Sequence, residues 1–356
     1  MNLTTSISDT LPTLARLREQ AARQAADEGA ELNAQMLLAT IVARYPEPTG
    51  WTEIRAETQP VVAAYPGRVI ALVNDRDTAQ GPDPVRVGLL SAKRSDGNSA
   101  IRGELLTAAL HGRAFEEGAA IAASWSASGV PTVVWWNGPA VTGDHLFEDM
   151  LDIADRILVD SSAMTDAAAD FEVLGDIVTA SHHARVTDAL WLRLLAWRQA
   201  FAQAFDQPAA RIDLEHVRSV ELAVQQSPGG HAAALLLVGW MASRLGWRLD
   251  RRTTQGWRLR SDGHAVDVIC EPSSITNGLV EMVRLSAPTS RYLAHKPSPE
   301  DIVVDCQSDL APVTHVAVRR PTPTRPRLRL DDLLTGGAHY PVFQEAVAVA
   351  RALATA

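Results

Sequence analysis

Residues Val130 to Pro139 read VPTVVWWNGP. An apolar, β-branched run closed by turn residues reads as a buried β-strand. Two adjacent tryptophans, Trp135 and Trp136, end it, and Asn137 opens the turn. Successive strand side chains point to opposite faces, so the two indoles cannot sit in one core in the same way. One is expected in the core. The other is expected at a crevice beyond the strand end, or on a surface that meets a partner.

The fold class follows from what flanks this strand. Residues 114–128 read as a helix before it and Asp144 to Ala154 as a helix after it, followed by a strand in RILVDSS, Arg156 to Ser162. Upstream, RVIALV (Arg68 to Val73) is a strand, Trp51 to Ala64 a short helix, Met36 to Val42 a first strand and residues 11–33 a polar, alanine-rich helix. Strands alternating with helices imply a layered α/β domain with parallel strands. Asp96-Gly97 lies between VRVGLLSAKR and AIRGELLTAAL as a hairpin turn, which makes that sheet mixed.

Leu190, Leu194, Trp197, Phe201 and Phe205 recur at helical spacing, so Thr187 to Phe205 reads as one helix joining two domains. Beyond it come a strand, SVELAV (219–224), and an apolar helix with Ser227 as N-cap, Pro228 in its first turn and Gly246 as C-cap. Seven strand-like segments follow, with tight-turn signals at Ser261-Asp262-Gly263 and Thr276-Asn277-Gly278. The expected architecture is α/β, or α+β overall. An N-terminal layered α/β domain with a mixed sheet takes residues 1–181, a connecting helix 182–210, and a mostly antiparallel sheet packed with helices 211–356. A Pro-rich connector over 319–330 and a terminal helix close the second domain.

The chain has 356 residues, 46% hydrophobic and 21% charged, with a net charge of -9. That is globular composition. It argues against sequence-independent nucleic-acid binding, which rests on basic side chains neutralising phosphates. The longest strongly apolar run, Ala232 to Ala242, falls short of the roughly 20 residues of a membrane span. The first twenty residues lack the pattern of a signal peptide. A cytoplasmic protein with no membrane and no nucleic-acid partner is expected.

Signatures of nucleophilic, zinc and nucleotide chemistry are missing: no G-x-S-x-G, H-E-x-x-H, C-x-x-C or Walker A motif, and no G-x-G-x-x-G after a strand. No catalytic residue, cofactor or metal ligand is therefore assigned. His182-His183 has no acidic or cysteine partner at ligand spacing. Three features remain open. Asp160 and Ser161 end a strand beside Trp135, Trp136 and Asn137, where open α/β sheets bind ligands, or Asp160 simply caps the next turn. Gly229 and Gly230 open a helix whose amides could hold an anion, or merely permit a short turn. Cys270 and Cys306 lie on separate strands, as a redox pair or as reduced packing residues.

Four blocks in order, PTVVWWNGP, DRILVDSS, WLRLLAWRQAFAQAFDQP and AALLLVGWMASRLGW, resemble the OpcA family of glucose-6-phosphate dehydrogenase assembly proteins. The resemblance runs from about Arg68 to Trp247. It implies a non-enzymatic protein that binds glucose-6-phosphate dehydrogenase, favours its active oligomer and raises its apparent affinity for glucose 6-phosphate. That role would serve the oxidative pentose phosphate pathway and NADPH supply. It also implies redox control through cysteines in photosynthetic members, to which Cys270 and Cys306 do not align. The competing expectation is an α/β enzyme or sensor that binds a sugar phosphate near Trp136 and Asp160.

Overall fold

Among the described residues two eight-stranded sheets, one in each half of the chain, organise the protein. The computed structural model describes residues 2–27, 37–74, 85–93, 99–180, 184–206, 208–276, 278–298, 301–308, 311–319 and 340–356. The Asp96-Gly97 turn, His182-His183 and the connector beyond Arg319 lie outside them.

The first sheet is built from β1 (Asn2–Thr5), β2 (Ala39–Tyr45), β3 (Gly67–Asn74), β4 (Val85–Lys93), β5 (Ser99–Leu110), β6 (Thr132–Trp135), β7 (Arg156–Val159) and β8 (Arg185–Asp188). Their order is β1-β4-β5-β3-β2-β6-β7-β8. From β5 to β8 every pairing is parallel; β4 and β1 add an antiparallel edge. The helices are α1 (Thr10–Asp27), α2 (Trp51–Ala64), α3 (Arg113–Glu116), α4 (Gly118–Trp125), α5 (His145–Ile153) and α6 (Ala167–Thr179). Counted from β2, the six parallel strands run 3-2-1-4-5-6, the doubly wound order of dinucleotide-binding folds. The expected layered domain with a mixed sheet is present.

The single helix expected from Thr187 is not. Arg185–Asp188 forms β8, the edge of the first sheet, so that sheet extends past residue 181. Asp188 then caps α7 (Ala189–Arg193) by accepting from the amides of Leu190 and Trp191, and α8 (Leu195–Ala204) follows after a break at Leu194. The apolar periodicity was real; the capping carboxylate decides where helix begins.

In the second half, α9 (Pro208–Leu214) leads to β9 (Ser219–Gln225) and α10 (Pro228–Leu245). Then come β10 (Arg248–Thr253), β11 (Gly256–Ser261), β12 (His264–Ser273), β13 (Val280–Ser286), β14 (Ser290–Ser298), β15 (Asp301–Ser308) and β16 (Ala311–Arg319). The chain's last element is α11 (Tyr340–Thr355). The sheet order is β10-β11-β12-β9-β13-β14-β15-β16, antiparallel except for β12 with β9. The turn at Ser261-Asp262-Gly263 joins paired strands, with Gly263 at φ 83°. Asn277 of the Thr276-Asn277-Gly278 signal lies outside the described residues; the strands on either side of it, β12 and β13, are not neighbours, because β9 lies between them.

Burial alternates strictly along β9: Val220, Leu222 and Val224 are covered while Ser219, Glu221 and Ala223 are half-buried. That period marks a sheet covered on one face. The cover is α10, capped by Ser227 and Gly246 as the residue types require, with α11 and α8 beside it.

The two halves share one core. A continuous set of buried side chains runs from Leu14 and Val134 through Phe171, Leu236 and Phe343 to Val283 and Val304. A smaller cluster fills the other face of the first sheet under α2. The last helix, α11, touches both halves. Phe343 packs on Trp191 with ring centroids 5.4 Å apart, and Gln344 donates to the Val178 carbonyl. Arg351 pairs with Glu172 and Asp176 of α6, and the Trp257 indole donates to the Leu353 carbonyl.

Candidate functional site

In a doubly wound sheet the ligand crevice opens where neighbouring strands send their helices to opposite faces, here between the ends of β2 and β6. Dinucleotide sites need a glycine-rich turn after the first strand, so that bare backbone can approach the pyrophosphate. After β2 this chain reads Pro46-Glu47-Pro48-Thr49-Gly50. Two prolines remove amide donors, and an exposed Glu47 adds a negative charge where phosphate would lie.

The two tryptophans at this point are both buried, Trp135 to 4% and Trp136 to 1% exposure. They do face opposite layers. Trp135 stands edge-on to Tyr45, 6.4 Å between centroids, in the cluster under α2. Trp136 stands edge-on to Phe147 of α5 at 4.7 Å, and the Arg44 guanidinium lies 4.2 Å over its ring. Tyr45 donates to Glu57 at 2.9 Å; burial first, then that carboxylate, raises its hydroxyl far above the usual range. The expectation of one indole at a crevice or partner surface is therefore corrected: each finds its own aromatic partner. Asn137 is half-buried and takes φ 53°, a left-handed residue that lets the chain leave the sheet.

Asp160 and Ser161, at the end of β7, form a joint. Asp160 accepts from the Ser162 amide at 3.0 Å and hydroxyl at 2.6 Å, and the Arg193 guanidinium reaches it through two nitrogens at 2.6 and 3.1 Å. Ser161 donates from its hydroxyl to Asp188 at 2.6 Å and from its amide at 2.9 Å. A serine bonded to a carboxylate resembles a nucleophile with its base. Both residues have 0% exposure, however, so no substrate reaches them. Burial, reinforced by the Asp160 charge, pushes the Asp188 carboxyl up to about 6, against the hydrogen bonds from Ser161 and Leu190.

Gly229 and Gly230 belong to the same joint. A Cβ on Gly229 would come 2.7 Å from the Ser162 carbonyl oxygen, and one on Gly230 would overlap the Gln225 carbonyl. The glycines let α10 press against the 161–163 turn and the end of β9. Ser227 already accepts from the Gly230 amide at 3.1 Å. Both glycines are buried, so the anion reading gives way to close packing between the halves.

Cys270 and Cys306 stand on β12 and β15, with β9, β13 and β14 between them. Four strand spacings make about 19 Å. A disulfide needs Cα atoms within about 7 Å, so no bridge joins this pair in this fold. Both thiols face the packed side, and burial pushes Cys270 up to about 12. Among the described residues no group of three or more His, Cys, Asp or Glu side chains could hold a metal. No described helix is long and apolar enough to cross a membrane.

One surface escaped the sequence reading. The face of the second sheet opposite α10 carries no helix among the described residues. An open depression of about 1170 Å³ lies on it, lined by Glu221, Arg284, Arg291, Leu293, Asp305 and neighbours. Its strand alternation was legible; which polar side chains stand together depends on pairing register.

The fold and these sites define a class: a protein of two packed sheets, the first in doubly wound strand order, with its switch-point aromatics and strand-end carboxylates committed to internal contacts. Two family descriptions match it in tandem. Residues 58–176 match the glucose-6-phosphate dehydrogenase subunit N-terminal domain, and residues 184–346 the C-terminal domain of the same subunit. The chain belongs to the OpcA family of glucose-6-phosphate dehydrogenase subunits. An OpcA protein of Synechocystis sp., named for the OxPP cycle, is 28% identical over 187 residues, covering 52% of this chain and 38% of that protein. One from Synechococcus elongatus is 34% identical over 120 residues, 34% of this chain and 26% of its own. The matched stretches thus span well under half the length of these relatives. Among solved structures, UDP-N-acetylglucosamine 3-dehydrogenase GnnA from Acidithiobacillus ferrooxidans superposes with a TM-score of 0.49 at 11% identity. That match covers 90% of this chain and 97% of the other, too loose a likeness to bear on function.

Proposed function

We propose that this chain is a non-catalytic, cytoplasmic assembly factor and activator of glucose-6-phosphate dehydrogenase, favouring the enzyme's active oligomer and so supporting the oxidative pentose phosphate pathway and its NADPH supply. The observation that carries the reading is the tandem match of both halves to a subunit of that dehydrogenase. The switch point supports it, because its indoles are packed and its first turn lacks the glycines a dinucleotide needs. So does the inaccessible Ser161–Asp188 pair.

The mechanism is linkage. A partner that binds the active form of an enzyme more tightly than the inactive form shifts the population by that difference, without touching substrate. Coupling of ordinary size moves an affinity about 5- to 150-fold. Mixing the purified protein with its cognate dehydrogenase is expected to yield a complex by gel filtration with light scattering. The glucose 6-phosphate concentration at half-saturation is expected to fall at least about fivefold. No complex and an unchanged saturation curve would sink the reading.

A further inference from the structure

Arg248 to Ser261, the β10–β11 hairpin, holds five arginines against one aspartate, a net +4 in a chain of net -9. The pairing register sets Arg248 directly opposite Arg260 and Arg251 directly opposite Arg258. Like charges directly opposed on an antiparallel pair destabilise it. An edge strand does gain from charge, which deters pairing with other chains, but scattered charges suffice for that. Two opposed like-charge pairs are a cost the edge does not need.

Neutralisation within the fold is partial. Arg260 reaches Asp250 at 2.9 Å and Arg251 reaches the same carboxylate at 3.3 Å, while Arg258 forks onto Asp267 at 2.6 and 3.0 Å. Among the described residues Arg248 has no carboxylate within 4 Å, and Arg251 and Arg260 are well exposed, at 59% and 71%. Farther along the same face, the register Arg258–Asp267–Ser219–Ser286–Arg291 brings in another arginine with no carboxylate partner among the described residues. The middle of the face mixes apolar and charged side chains: Ile269, Met282, Leu293 and Val303 are half-buried there, beside the Arg284–Glu221 pair at 2.6 Å and Asp305. Half-buried apolar side chains set among arginines are a composition that protein interfaces favour.

We propose that this open face docks an acidic protein surface, with Arg248, Arg251, Arg260 and Arg291 as its charged part and Met282 and Leu293 in its middle. The assignment rests on the reading above and makes that surface part of glucose-6-phosphate dehydrogenase. The arginine-rich hairpin edge of this face, on an otherwise acidic chain, orients the encounter and repels basic partners.

The test is the double variant Arg248→Glu, Arg251→Glu, measured against the dehydrogenase at low and high salt. Each glutamate faces an arginine across the hairpin, so thermal stability is expected to hold or rise. Affinity is expected to fall about tenfold or more at low salt, chiefly through slower association, with the gap narrowing as salt screens it. Arg113→Glu, a reversal on the exposed α3, is expected to bind like the unaltered protein. If the unaltered protein binds and the double variant binds equally at both salt concentrations, the reading of function stands and this surface is wrong. If the unaltered protein forms no complex at all, both fall. If the unaltered protein alone is a dimer that the double variant dissolves, the occupant is a second copy and the proposal is overturned.

Discussion

At the scale of the residue, Asp188 carries the sharpest prediction. Its folded-state value of about 6 lies above the ordinary 3.8, so between those values the fold keeps a proton that the unfolded chain has released. Stability contributed by that group is greatest below about pH 4 and falls as pH rises through about 6. A rise from 3.8 to about 6 is worth roughly 3 kcal/mol. Chemical denaturation of the protein and of Asp188→Asn across this range is expected to show their difference changing in that direction. A flat difference would mean the carboxyl is ionised throughout. The residues themselves were legible as strand-end polar groups, because Asp160-Ser161-Ser162 follows an apolar run. Their partners were not: Asp188 lies 27 positions from Ser161, and only the pairing of β7 with β8 brings the two together.

At the scale of the element, α10 was readable almost completely, since its Ser227 cap, Pro228 start and Gly246 stop are local chemistry. What it packs against was not. Gly239, in the middle of a nearly all-apolar helix, faces the Ala346 carbonyl of α11 so closely that a Cβ would overlap it. Gly239→Val is expected to force the helices apart and lower stability by roughly 1–3 kcal/mol, read as a lower urea midpoint at unchanged slope. An unchanged midpoint would show that the helix pair has slack. The long helix expected over Thr187–Phe205 was misread for a related reason. A 3.6-residue apolar period says which face is covered, but Asp188 ends a strand and starts a helix because its carboxylate meets the amides of Leu190 and Trp191.

At the scale of the whole molecule, the two sheets behave as one body. The main core is continuous across both, and α11 is held by α6 and Trp191 on one side and by α10 and Trp257 on the other. A single calorimetric transition is expected, with calorimetric and van't Hoff enthalpies equal. Two resolved peaks would show halves that unfold separately. The same wholeness accounts for the internal contacts that the candidate residues read from the sequence make. Trp135, Trp136, Asp160, Ser161, Gly229 and Gly230 all lie where layers or halves meet, and meeting surfaces demand large aromatics, buried capping carboxylates and glycine at close approach.

The sequence by itself determined the period of each strand and helix, the α/β class, the missing nucleotide turn and the four ordered blocks of its family, because all of these rest on neighbours along the chain. Only the tertiary structure decided the strand order 3-2-1-4-5-6, the burial of both indoles, the separation of Cys270 from Cys306 and the arginine-edged open face. Those depend on which strands pair and in what register, and register is settled by long-range burial of one sheet face rather than by local preference.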